Sequence, residues 1–133
     1  MSDLKRALKR FLAVETGQDS IHYTRAPTKT SPPYGAISII SNRRERTHDG
    51  RDGLAEARVQ IDWFTKTDSE SEQLSSATIE AVEKVQNETI GVRRGKGGIF
   101  IAQVTIETEF DDYEDDTGLF HKAIDLTIQY EED

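Results

Sequence analysis

Residues 57–85 read ARVQIDWFTKTDSESEQLSSATIEAVEKV, and a change of period inside this stretch decides the fold. Over the first eight residues Ala57, Val59, Ile61 and Trp63 alternate with Arg58, Gln60 and Asp62. A period of two places each set on its own face, so this is a half-buried strand. Thr67 and Asp68, with Glu70 behind them, then supply an N-cap and a capping box. From there Leu74, Ala77, Ala81, Val82 and Val85 recur at i, i+3, i+7, i+8 and i+11, which predicts a helix over about 69–87. The helix follows the strand after a few polar residues, so its apolar stripe and the strand's apolar face have to close on each other.

Working outward, YGAISIIS (34–41) predicts the preceding strand, rich in Ile and bounded by turn formers. Between the two strands no residue from 42 to 52 is apolar, and Asp49-Gly50 and Asp52-Gly53 carry turn chemistry. The pair therefore reads as a long hairpin with a charged tip at 42–56. TRAPTKTSPP (24–33) is an extended connector, because proline withholds the N–H that a ladder needs. Upstream of it there is room for a short strand near 21–24. Leu4, Ala7, Leu8, Phe11 and Leu12 recur at helical spacing against Lys5, Arg6, Lys9 and Arg10, predicting an amphipathic helix over 3–15 that Gly17 stops. Such a basic helix could meet a membrane or an acidic partner. Its stripe of about three turns without Trp favours packing on the core.

Downstream, GVRRGKGG (91–98) breaks the helical pattern. Phe100, Ala102, Val104 and Ile106 then fall on one side of a strand over 99–110, and Phe120, Ile124, Leu126, Ile128 and Tyr130 repeat the alternation in a last strand. DDYEDDTG (111–118) is short enough to close a hairpin between them. The expected architecture is a single α+β domain over 1–133, an antiparallel sheet of two hairpins with two helices packed on one face. Val59, Ile61, Trp63, Leu74, Val82, Val104, Ile124 and Leu126 are expected to share one core.

Composition excludes several functions. At 133 residues a second core does not fit. With no cysteine there is no disulfide framework, zinc-thiolate site or thiol nucleophile. No apolar run approaches the roughly 20 residues of a membrane span, and Met1–Leu12 lacks a signal-peptide core, so a soluble protein made in the cytoplasm, without membrane contact, is expected. The net charge of −8 argues against an ordinary nucleic-acid binder, since phosphate affinity comes from clustered Lys and Arg. That charge is unevenly spread. Residues 107–133 hold eleven acids against one lysine, leaving a near-neutral body and an acidic end.

The chain offers little reactive chemistry. His22, His48 and His121 fall on three separate elements without ligand spacing, and His121 is expected at the surface. His48-Asp49 beside Arg43, Arg44 and Arg46 reads as a solvated turn rather than a dyad. Gly95-Lys96-Gly97-Gly98 lacks the Ser or Thr and the following helix that a phosphate loop requires. The carboxylates Asp111, Asp112, Glu114, Asp115 and Asp116 are hard ligands of the type calcium takes, but without the alternating spacing of an EF-hand loop. No cofactor or metal set and no enzyme motif is recognisable. A small α+β enzyme, or a ligand- or metal-binding domain using the acidic 111–116 turn, is the competing reading.

Three stretches in order carry a resemblance: Pro-Pro-Tyr at 32–34, HDGRDGLAEARVQIDWF at 48–64 and DDYEDDTGLFHKAIDLTIQYEE at 111–132. Together they are similar to the tail completion proteins of long-tailed bacteriophages and prophages, also called tail terminators or head-tail joining proteins. The resemblance implies a structural protein at the head-tail junction of the virion. It would be a monomer when free and would cap the head-proximal end of the tail tube as a hexameric ring, between the tail tube protein and the head-completion protein. DNA would pass through without tight binding. Under that reading Arg43, Arg44, Arg46, His48 and Asp49 are expected at a partner or subunit interface. Asp111, Asp112, Glu114, Asp115 and Asp116 are expected to face the lumen, where acid does not grip phosphate.

Overall fold

The computed structural model describes residues 2–46, 52–92 and 98–132. Two helices, α1 (Ser2–Thr16) and α2 (Asp68–Lys84), accompany six strands: β1 (Ile21–Tyr23), β2 (Tyr34–Arg46), β3 (Asp52–Thr65), β4 (Glu88–Ile90), β5 (Ile99–Glu114) and β6 (Leu119–Glu132). The strands form one sheet in the order β1-β2-β3-β6-β5-β4. The α+β class and the two long hairpins are as expected, but the sheet is mixed, because β1 runs parallel to β2 while every other pair is antiparallel. β4 was not legible. Its three residues follow a helix end where Asn87 takes φ +68, and they present no apolar alternation to read.

The helices form where capping and periodicity place them. Thr67 is the N-cap of α2 and its hydroxyl accepts the Glu70 N–H at 3.1 Å. α1 ends as its periodicity predicts, the Gly17 N–H closing on the Ala13 carbonyl with φ +76, a left-handed conformation that glycine adopts without penalty. Leu4, Leu8 and Leu12 of α1 and Leu74 and Val82 of α2 join Val59, Ile61, Trp63, Val104, Ile124 and Leu126 in one buried cluster. The expected core is therefore the observed one. Full burial of each large side chain contributes about 1.5–3 kcal/mol. The Trp63 indole also needs a polar partner, which periodicity did not reveal: Thr78 of α2, buried, accepts its N–H at 2.9 Å and donates to the Leu74 carbonyl at 2.7 Å.

The sheet curls around α1, which reaches both of its edges. Lys5 and Lys9 lie over the Tyr23 ring of β1, and Ala7 abuts Gly91 just beyond β4, where an added Cβ would lie 2.7 Å from the alanine methyl.

Three expectations about the strands are corrected. Phe100 and Ala102 do not share a face with Val104 and Ile106. An irregularity between Ile101 and Gln103 resets the alternation, so Ile99 and Ile101 are the buried residues of that half. The acidic stretch is only half turn: Asp111 to Glu114 continue β5, paired to Lys122 through Leu119, and the reversal is confined to 115–118. The ladder of β2 and β3 also runs into the charged segment, to Arg46 opposite Asp52, because Ala55 and Ala57 still face the core and the Tyr130 hydroxyl donates to Asn42 at 3.0 Å.

Candidate assembly surfaces

Register builds the outward face of the sheet, the one away from the helices. Tyr34, Phe64 and His121 stand directly opposite one another on β2, β3 and β6. Their rings stack at 4.9 Å and 4.4 Å between centroids, and His22 and Phe110 meet the two ends edge-on at 6.5 Å and 6.1 Å. The row crosses five strands and screens Ala36, Asp62 and Ala123, all buried.

Asp62 lies 2.7 Å from His121 Nε2, and the Gln60 amide donates to the same carboxylate at 3.0 Å. His121 is thus not a surface residue, its side chain being only 16% exposed. The hydrogen bond to Asp62 raises its pKa above the ordinary 6.5 against the opposing effect of burial, and the charges of Asp62, Glu114 and Asp112 add to the rise. Burial, with the charge of Glu114 nearby, pushes the Tyr34 phenol up as well. A histidine and a carboxylate stacked among aromatic rings, with no nucleophile in the set, orient one another and pin β3 to β6. Tyr34, Phe64 and His121 are far apart in sequence, and only the strand register shows that they meet.

The two hairpins reach opposite ends of the sheet, since β3 and β6 run antiparallel from Ala55 opposite Tyr130 to Thr65 opposite Phe120. At one end Arg43 is bound to Glu56 across the ladder at 3.1 Å, while Arg44 pairs with Ala55 and Arg46 with Asp52 through the backbone. His48 and Asp49 lie outside the described residues. At the other end the carboxylates separate. Asp111 turns to the helix side and meets Lys122 at 3.0 Å, with Glu72 of α2 at 3.3 Å from the same ammonium. Burial opposes the charge of Lys122, but hydrogen bonds to Asp111 and Glu72 outweigh it and leave its pKa raised. Asp112 stands opposite His121 on the outward face, Glu114 accepts the Thr117 hydroxyl at 2.9 Å, and Asp115 and Asp116 are exposed in the turn. Strand alternation keeps these acids from converging, and no three potential ligands among the described residues are placed to hold a metal ion.

Along its outer side β5 is covered by β4 only at Ile99–Ile101. The Gln86 side chain caps the next outward N–H, that of Val104, at 3.1 Å. From 105 to 114, β6 is the only strand paired with β5 among the described residues.

The site rests on a mixed six-stranded sheet that curls over two helices and carries its two long hairpins to opposite ends. The chain belongs to the family described as Tail completion protein gp17, which matches residues 3–131. It is a phage tail structural protein by that membership. No curated protein matches it. Among solved structures, a chain of the virion of the native gene transfer agent (GTA) particle is similar in fold, with a TM-score of 0.62 at 12% identity over 96% of this chain and 93% of that one. A second solved chain has a TM-score of 0.54 at 14% identity, over 98% of this chain and 92% of that one. At such identities the likeness is one of fold.

Proposed function

We propose that this protein completes the tail by capping the head-proximal end of the tail tube as a hexameric ring, joined on its other side to the head-completion protein, with a channel left for DNA. The observation that carries the reading is membership of the tail completion family along nearly the whole chain, residues 3–131. The geometry supports it in two ways. The hairpins extend to opposite ends of a rigid sheet, so that two different partners can be met without remodelling the core. The ends also differ in charge: arginines 43, 44 and 46 are interspersed with Glu45, Asp52 and Glu56 at one, while Asp115 and Asp116 are exposed in the turn at the other.

The arginine-bearing end, with Arg43, Arg44, Arg46, His48 and Asp49, contacts a partner, and the acidic turn borders the channel. Acid there keeps the genome moving, because every phosphate neutralised by a cation would add salt-dependent attachment. The isolated protein should accordingly bind DNA negligibly.

Particles produced without this protein test the reading. Electron microscopy is expected to show filled heads and tail tubes that fail to join, or tubes of uncontrolled length. Normal, joined tails in its absence would contradict it.

A further inference from the structure

The basic face of α1 and the uncovered stretch of β5 ahead of the acidic 111–116 segment are assigned neither to the channel nor to the hairpin tips. We propose that they are the two halves of the contact between neighbouring subunits: the acidic outer edge of β5 in one copy lies along the basic α1–β1 edge of the next. The inference rests on the ring reading and names the surfaces that would build it.

An unpaired strand edge is a template for pairing, and proteins guard such edges with charge. Ahead of the acidic 111–116 segment the guard on β5 is of one sign, Glu107 and Glu109. Two β5 edges set against each other would place like charges opposite, which is destabilising, so this edge rejects its own copy in a two-fold contact. It accepts a basic surface, and the chain carries one four strands away in the sheet order. There Lys5 and Lys9 hold the Tyr23 ring at 5.8 Å and 5.1 Å, Lys5 donates to Thr24 at 3.2 Å, and Arg25 and Lys29 are exposed in the connector that follows. β1 is itself an edge strand of three residues, paired only with β2 among the described residues.

Apolar anchors exist on both sides. Tyr23 is 40% exposed on the basic edge, while Phe110 is 52% exposed on the acidic one. Exposed aromatics among complementary charges are the composition of an interface, with the rings supplying affinity and the charges supplying register. Two different patches on one chain join head to tail, and such contacts close into a ring when the rotation per subunit allows.

The test uses charge reversal of the full chain, read by native mass spectrometry in free solution and on purified tail tubes. Glu107→Lys with Glu109→Lys makes both edges basic; Lys5→Glu with Lys9→Glu makes both acidic. Each variant alone is expected to lose ring formation, by roughly a hundredfold in association. An equal mixture is expected to recover it, with the two kinds of subunit alternating, a pattern visible in the masses. Thermal melts check folding, and the neutral Glu→Gln and Lys→Gln versions replace any variant that fails to fold, with a smaller loss in the same direction. Rings from wild type together with undiminished rings from both variants would overturn this contact and leave the ring reading intact. Loss in both variants without recovery in the mixture would also overturn it. A wild type that forms no ring in either setting would overturn the ring reading and this inference with it.

Discussion

The two faces of β3 obey different physics. Towards the helices, Ala57, Val59, Ile61 and Trp63 are at most 1% exposed, and their contribution is removal of apolar surface from water. Away from the helices, each side chain is occupied laterally: Arg58 with Asp125 at 2.7 Å, Gln60 with Asp62, Asp62 with His121, and Phe64 between the rings of Tyr34 and His121. The inward face holds the domain together. The outward face fixes which strands lie side by side and leaves a surface whose polar groups are already engaged.

The largest break in this comparison is expected from the inward face. Ile124→Asp buries a carboxylate that has no partner, at a cost above about 4 kcal/mol, and should leave the protein unfolded by circular dichroism at room temperature. Thr78→Val keeps the shape but removes the acceptor of the Trp63 N–H. A loss of about 1–3 kcal/mol is expected in denaturant unfolding.

On the outward face the effect depends on pH. Because the pKa of His121 is raised in the folded state, its stabilisation is fully present below its ordinary 6.5 and is lost as pH rises through the raised value. The stability difference between wild type and His121→Gln, measured by urea unfolding from about pH 6 to about pH 9, should therefore shrink as pH increases. A difference that grows with pH would mean that the dyad does not stabilise the fold. The smallest effect is expected at the hairpin end, where Arg43 is 72% exposed: Arg43→Ala should change stability by no more than about 1 kcal/mol.

The same contrast explains what could be read before the structure. The inward face was legible because period-two strands and a period-3.6 helix leave their mark in one dimension: Val59, Ile61 and Trp63 with Leu74 and Val82 announce a core. The outward face was not, because Tyr34, Phe64 and His121 are far apart in sequence and meet only through strand register. His121 looked like a surface residue for that reason, and the irregularity at Ile101/Gln103 hid which face of β5 was buried. The acidic stretch was legible as charge but not as geometry, since Asp111 and Asp112 leave the strand on opposite faces. β4 has only three residues and no alternation to reveal it.

The proposed role at the tail end is tested most directly by cryo-electron microscopy of complete particles compared with particles lacking this protein. The expected result is a ring of six copies at the head-proximal end of the tail tube, around an open channel, with that density missing in the deletion. Density for the protein elsewhere in the particle, or an unchanged head-tail junction without it, would contradict the account.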